Sequence, residues 1–335
     1  MIALFKQKSP ANLIILLLFG LLIKQPALLN PVEPEATDTD GKLYQWLVGS
    51  LPEGAYHALA GAALAFFLLY IQSLMVTYIT NEYRMTLRHT YLPGMAYLLI
   101  TTFLPQWSQL SAALVASTFI IWSFSKLFRL YNIEAANGII YDIGLITGLA
   151  SFIYFPSILM AVCLWLGILI LRPFRLNEIF LLLVGIATPY YFYAAYLFLT
   201  DHLSIAHLFP RITLKLPGTL NSLWLVGATL FLSIPFLIGS YHVQALLRKM
   251  LIQARKNWSI ILLYALIVLF VPFVNGSYGY QNWVIAAAPF CLFHACTFLY
   301  TPRKWFPILL FWLMVLFILT QQILLSFIQG GKHLL

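Results

Sequence analysis

Residues 56–79 read YHALAGAALAFFLLYIQSLMVTYI, 24 residues without one Asp, Glu, Lys or Arg. Wound as an α-helix at about 1.5 Å per residue, the stretch is ~36 Å long, enough to cross a hydrocarbon core of about 30 Å. It has no charged face to turn toward water, so it does not fit the amphipathic helix of a soluble domain. Asp, Glu, Lys and Arg resume only outside it, at Glu53 on one side and at Glu82, Arg84 and Arg88 on the other.

The same pattern extends in both directions. Of 335 residues, 62% are hydrophobic and 9% charged, against about 25% charged in an ordinary soluble domain. The apolar stretches are continuous, whereas a transmembrane β-barrel shows alternating segments of about 10 residues. Breaks at charged residues and at Pro, Gly or Asn place spans at 10–29, 56–79, 91–105, 109–124, 138–155, 157–171, 179–200, 219–240, 257–274, 283–300 and 305–328. The expected fold is all-α, a polytopic transmembrane helical bundle of about 11 spans, with residues 1–335 forming a single integral membrane domain and no soluble domain. The third to sixth spans are short for a full crossing, and Pro105 and Pro156 mark tight connections. Tilted hairpins or re-entrant segments are expected there.

The formal net charge is +9, but the cations stand in small groups between apolar runs rather than along one soluble face. That distribution argues against nucleic acid as a partner and for membrane lipids. With the N-terminus in the cytoplasm, the inner segments hold Lys6, Lys8, Arg84, Arg88, Lys126, Arg129, Arg172, Arg175, Arg248, Lys249, Arg255, Lys256, Arg303 and Lys304, and the outer ones only Lys42, Arg211, Lys215 and Lys332. A bias of fourteen to four follows the rule that short cytoplasmic loops collect Lys and Arg. Lys24, inside the first span near its outer end, is expected to snorkel to the interface. Lys6 and Lys8 precede the apolar run from Leu13 to Ile23, and Lys24 to Leu29 offer no clear small-x-small cleavage site, so this start reads as an uncleaved signal anchor.

Five residues stand out as candidates for chemistry. Asp38 and Asp40 lie in an acidic outer loop with Glu33, Glu35 and Glu53. A carboxylate there can take a proton from an acceptor, or hold a divalent metal that steadies a phosphate leaving group, as in transferases that use lipid-linked sugars. No cofactor is named by the sequence, and a divalent metal is the candidate only if the protein is an enzyme. The plainer account, preferred on the sequence alone, makes these acids part of a flexible linker marked by Pro31, Pro34 and Gly41. Arg211 and Lys215, four residues apart beside His202 and His207, could hold a lipid phosphate; a solvated interfacial helix is the plainer account. Asp142 sits about a turn inside the fifth expected span, where a carboxylate needs a partner, a proton or water. A structural pair with Arg84, Arg129 or Arg172 is preferred over a proton or cation site.

Other polar residues read as packing or topology. Mixed charges and asparagines after the second, fourth and sixth spans permit an inner polar network. Cys291, His294 and Cys296 look like metal ligands in print, but successive helical residues turn by about 100°, which carries Cys296 away from Cys291. There is no GxxxxGK[ST], HExxH or GxSxG motif. Gly144 and Gly148 form GxxxG, and Ala58, Ala60, Gly61, Ala62, Ala63 and Ala65 give the second span a small surface, so close helix contacts are expected at both places.

The segments FKQKSPANLIILLL (5–18), NEYRMTLRHTYLP (81–93), YDIGLITGLASFIYFPSILM (141–160) and RPFRLNEIFLLLVGIATPYYF (172–192) resemble a domain-of-unknown-function family of bacterial polytopic inner-membrane proteins. The resemblance spans roughly the first two-thirds of the chain and implies a bacterial inner membrane. It transfers no activity and no catalytic residue. Three function classes follow from the residues: a cell-envelope enzyme acting on a polyprenyl-phosphate-linked sugar, an assembly scaffold for other envelope proteins, and a transporter or lipid flippase. The first and third are placed together ahead of the scaffold, because many spans can build a polar cavity that anchoring does not need.

Overall fold

The computed structural model describes residues 2–7, 9–37, 40–202, 223–274 and 280–332, and among them it is helical, with short 3-10 turns and no strand. In chain order the helices are α1 (Ile2–Phe5), α2 (Ala11–Leu29), α3 (Lys42–Gly49), α4 (His57–Glu82), α5 (Leu92–Ile100), α6 (Ala112–Arg129), α7 (Asn137–Ile153), α8 (Met160–Leu171), α9 (Leu176–Leu199), α10 (Leu223–Leu246), α11 (Ile252–Val268), α12 (Ala287–Tyr300) and α13 (Trp305–Lys332). Eight helical stretches among the described residues are long and apolar enough to cross a bilayer, and two shorter apolar ones cover Asn137–Ile153 and Phe155–Leu171. The chain has the build of an α-helical membrane protein.

The expected span at 91–105 takes a different form. Only Leu92–Ile100 is helical, nine residues that are all buried, and at about 1.5 Å per residue this covers ~14 Å of a core about 30 Å thick. Beyond Thr101 the chain turns through a 3-10 segment, Pro105–Ser108, before α6 starts behind the Ser111 side chain, which accepts from the Leu114 amide. Pro105 cannot supply the amide that a continued helix would need.

The helices form a centre and a rim. Tyr280–Tyr300 is 83% buried and Ala112–Arg129 67%, against 17% for both Leu176–Leu199 and Trp224–Lys249. The outward side chains of α9, such as Leu176, Phe180, Phe192 and Leu199, are exposed. In water such a surface would associate; against acyl chains it is the matching solvent.

Small residues set the closest approaches. A Cβ on Gly144 would lie 2.4 Å from the Leu182 carbonyl oxygen, and one on Gly148 2.5 Å from that of Ile186, so GxxxG in α7 receives the backbone of α9. Gly185 returns the contact, 2.5 Å from the Tyr141 oxygen. On α4 the small surface does something else at Gly61, where a Cβ would meet Pro34 Cγ at 2.9 Å. There the neighbour is the loop after α2, not a helix.

The rim helix α10 is joined to the buried α12 at a proline. Pro235 in α10 has no N–H, which leaves the carbonyl of Phe231, four residues earlier, without its helical donor. His294 Nε2 of α12 lies 3.1 Å from that oxygen, and Nδ1 lies 2.8 Å from the Phe290 oxygen on its own helix. Thr297 Oγ1 donates to the Pro235 oxygen at 2.6 Å.

One end of the bundle is basic. There Lys126, in the last turn of α6, meets Asp142 of α7 at 3.1 Å. Asp142 therefore has a structural partner, but it is Lys126 and none of Arg84, Arg129 or Arg172. A cation in the last turn of α6 also complements that helix's dipole. Arg172 is engaged elsewhere: its Nη2 lies 3.1 Å from Glu178 Oε1, both side chains are buried, and its Nη1 donates to the Ile133 carbonyl. These two pairs supply part of the polar network expected on this side.

Candidate functional site

At the opposite end, two polar cavities adjoin. The first begins with Lys24, which the sequence places in an apolar stretch and which the fold turns inward instead of toward the interface. Its side chain is buried, and Nζ donates to the Thr101 carbonyl at 3.2 Å and to Ser108 Oγ at 2.9 Å. Snorkelling fails here because α5 stops at Ile100. The last carbonyls of any helix lack intrahelical donors and carry the negative end of its dipole, and Lys24 occupies that position for α5. Ser108 completes the cluster by donating to the same Thr101 oxygen at 3.2 Å. Among the described residues no carboxylate lies within ion-pairing distance of Lys24.

This ammonium lines a cavity of about 150 Å³ together with Asn30, Thr102, Gln109, Gln321 and Gln322. Gln322 of α13 also donates to the Ile23 carbonyl of α2 at 3.1 Å. The cavity thus has one cation and several amides and hydroxyls, which suits an anion with several oxygens.

The second cavity, about 200 Å³, shares Val32, Gln109 and Leu110 with the first. Its walls carry Glu33, Glu35, Asp40, Tyr44, Tyr154 and Asn282. The acidic loop is held against the bundle and is not a free linker: Pro34 is buried against Gly61, and the Gly41 amide donates to the Ile153 carbonyl at 3.0 Å. A Cβ on Gly41 would stand 2.0 Å from the Phe152 oxygen, so only glycine fits this approach. Asp40 Oδ2 accepts from the Thr37 amide and hydroxyl, each at 2.8 Å, while Gln45 Nε2 donates to the Thr37 and Asp40 carbonyls at 3.1 and 3.0 Å.

Burial pushes the Asp40 carboxyl above its ordinary value of 3.8, against the lowering effect of the two bonds from Thr37. Burial, and then the charge of Asp40, raise the Tyr44 phenol, whose hydroxyl donates to the Leu110 carbonyl at 3.2 Å. The Tyr154 hydroxyl is buried on the wall of this cavity and among the described residues has no hydrogen-bond partner. A buried hydroxyl left open costs stability and is the natural contact for a bound oxygen.

The residues singled out from the sequence are dispersed. Asp40 belongs to the acidic cavity. Asp142 is paired at the other end of the bundle. Asp38, Arg211 and Lys215, with His207, lie outside the described residues. Lys24, Ser108, Gln109 and Tyr154 were not chosen as site residues. The signal for Lys24 was present: an ionisable residue within an apolar span is a site hypothesis by the same argument that selected Asp142. Glu33, Glu35 and Asp40 share a wall, yet among the described residues no three metal-ligating side chains converge. Comparison of the chain with protein-family models, with curated proteins and with solved structures finds no match.

Proposed function

We propose that the chain is a multi-pass protein of the bacterial inner membrane, crossing eleven times from a cytoplasmic N-terminus, that acts at the outer face on a polyprenyl-phosphate-linked sugar in cell-envelope biogenesis. The bias of basic residues supports the orientation, and the resemblance of residues 5–18, 81–93, 141–160 and 172–192 supports the compartment. The observation that carries the function is Lys24, a buried lysine without a carboxylate partner among the described residues, on a polar cavity that adjoins a carboxylate-lined one.

In this reading Lys24 holds the phosphate of the donor lipid. Asp40, ionised, accepts the proton of an acceptor hydroxyl. As that oxygen bonds to the sugar's anomeric carbon, the bond from carbon to phosphate oxygen breaks, and the lipid phosphate leaves with the electron pair beside Lys24. Its charge is then balanced by a cation already in place. The raised pKa of Asp40 favours its work as a base, because a base nearer the operating pH binds the transferred proton more firmly.

The test uses purified protein in vesicles with a radiolabelled polyprenyl-phosphate sugar. Lys24→Met is expected to abolish donor binding, while Asp40→Asn keeps binding and loses transfer by about a hundredfold or more. Transfer by Asp40→Asn at the wild-type rate overturns the role of the base, and unchanged donor binding by Lys24→Met overturns the site.

A further inference from the structure

A third cavity, about 330 Å³, lies at the basic end and is lined by Arg84, His89, Lys249, Leu87 and Leu251, among others. It is far from the two cavities described above: Ala62, on the first cavity, and Glu82, before the Arg84 loop, stand near opposite ends of α4, ~30 Å apart at about 1.5 Å per residue. No carboxylate lines it, and among the described residues none pairs with Arg84, His89 or Lys249.

The loop that carries Arg84 and His89 is fastened on three sides. Asn81 clamps Thr90 through two bonds, Nδ2 to the Thr90 carbonyl at 3.1 Å and the Thr90 amide to Oδ1 at 3.0 Å. Trp258 Nε1 of α11 donates to the Met85 carbonyl at 2.8 Å, and the Leu87 amide donates to Tyr300 Oη of α12 at 2.8 Å. Arg84 and His89 are therefore presented by a preorganised loop, which lowers the ordering cost of binding. The opposite wall ends at Leu251, which caps α11 without a side-chain hydrogen bond. The first amides of that 17-residue helix accordingly face outward with the positive end of its dipole.

We infer that this cavity binds a phosphate group and that the phosphate is carried by an anionic membrane lipid. Two cationic side chains, Arg84 and Lys249, and a helix N-terminus supply the charge complement, and the His89 imidazole adds a polar contact. The rim supplies the source: Leu87 and Leu251 are 51% and 57% exposed and the adjacent Ile252 57%, an apolar edge that a soluble phosphate does not use and an acyl chain does. This site does not depend on the proposed transfer reaction, and its ligand is a bulk lipid instead of a sugar donor.

The experiment uses the full chain in phosphatidylcholine nanodiscs with and without phosphatidic acid, and native mass spectrometry to count retained lipid. The wild type should retain phosphatidic acid. Arg84→Gln with Lys249→Gln should weaken retention at least tenfold without moving the melting temperature, and His89→Glu should do the same through a single carboxylate. Arg303→Gln with Lys304→Gln, at the same end but outside the cavity, should retain the lipid. Retention by the Arg84 and Lys249 double variant equal to wild type overturns the site. Equal loss in the Arg303 and Lys304 control would reduce it to diffuse surface charge, and displacement by millimolar inorganic phosphate would overturn the lipid as its source.

Discussion

Lys24 is costly where it stands. Among the described residues its Nζ has no carboxylate partner and is held out of water by one carbonyl and one hydroxyl, a set weaker than an ion pair. Replacing it with an apolar side chain of similar length removes the charge and leaves Ser108 donating to the Thr101 oxygen. Lys24→Met is therefore expected to raise the melting temperature in detergent while losing donor binding, the trade found where function needs a destabilising group. A lower melting temperature would show that Lys24 serves the fold alone. Asp40 gives a pH dependence whose sign is set by its raised pKa. Its protonated form is favoured in the folded chain, so its contribution to stability is complete below about 3.8 and is lost as pH rises through the folded pKa. Activity should move the opposite way, rising as Asp40 ionises. Stability and transfer measured across this window in wild type and Asp40→Asn check both, since the asparagine variant should lose the Asp40 component of the stability profile. The pair of Lys126 and Asp142 is a modest case. With 28% and 45% of their side chains exposed, Asp142→Asn should cost under about 1 kcal/mol, and exchanging the two residues should recover most of it in a thermal melt. That Asp142 needs a partner could be read from an apolar span; that the partner is Lys126 could not, because sequence spacing does not say which inner cation the first turns of α7 will meet.

Among the elements, α7 and α9 make a tightly constrained contact, since Gly144 and Gly148 both meet backbone. A leucine at Gly144 cannot be absorbed by rotating a neighbouring side chain. Gly144→Leu should destabilise by about 1–3 kcal/mol or displace α9, seen as a lower melting temperature and new protease sensitivity after Leu199. Gly138→Leu on the same helix, where a Cβ would meet nothing within 4 Å, should be close to neutral. The GxxxG pattern announced a close approach without naming its partner, because many helices could offer a matching backbone. The small surface of α4 was visible in the same way, while its use at Gly61 by Pro34 depended on the loop folding back. Proline and glycine in residues 31–41 suggested a linker, and the same residues proved able to seat the loop: Pro34 fills the place left at Gly61, and Gly41 passes close to the end of α7.

For the whole molecule, apolar length and charge asymmetry carry the argument. Reporters fused after Arg88, Lys126, Arg175, Lys256 and Lys304 should report cytoplasm, and those after Asp40, His207 and Gly279 the outside; several reversed signals would overturn the orientation. Long spans such as α4 and α13 are readable from composition because their length alone meets the bilayer. The segment around α5 is not, since nine buried residues look like any apolar run until their neighbours are known. The acidic cavity was half visible, through Asp40. The adjoining cavity was hidden because Lys24 and Ser108 are brought together only by the fold.

That pairing also bears on how the chain is made. The partners of Lys24 lie 77 and 84 residues downstream, and at about 5–20 residues per second the ribosome needs roughly 4–17 s to supply them. During that interval α2 carries a lysine without these acceptors, at a penalty below the about 2.5–3.5 kcal/mol of a lysine at a helix centre, because it stands near the outer end of the span and can snorkel. The seat of Lys24 on α2 is therefore completed only after α5 and the turn that follows it have been made.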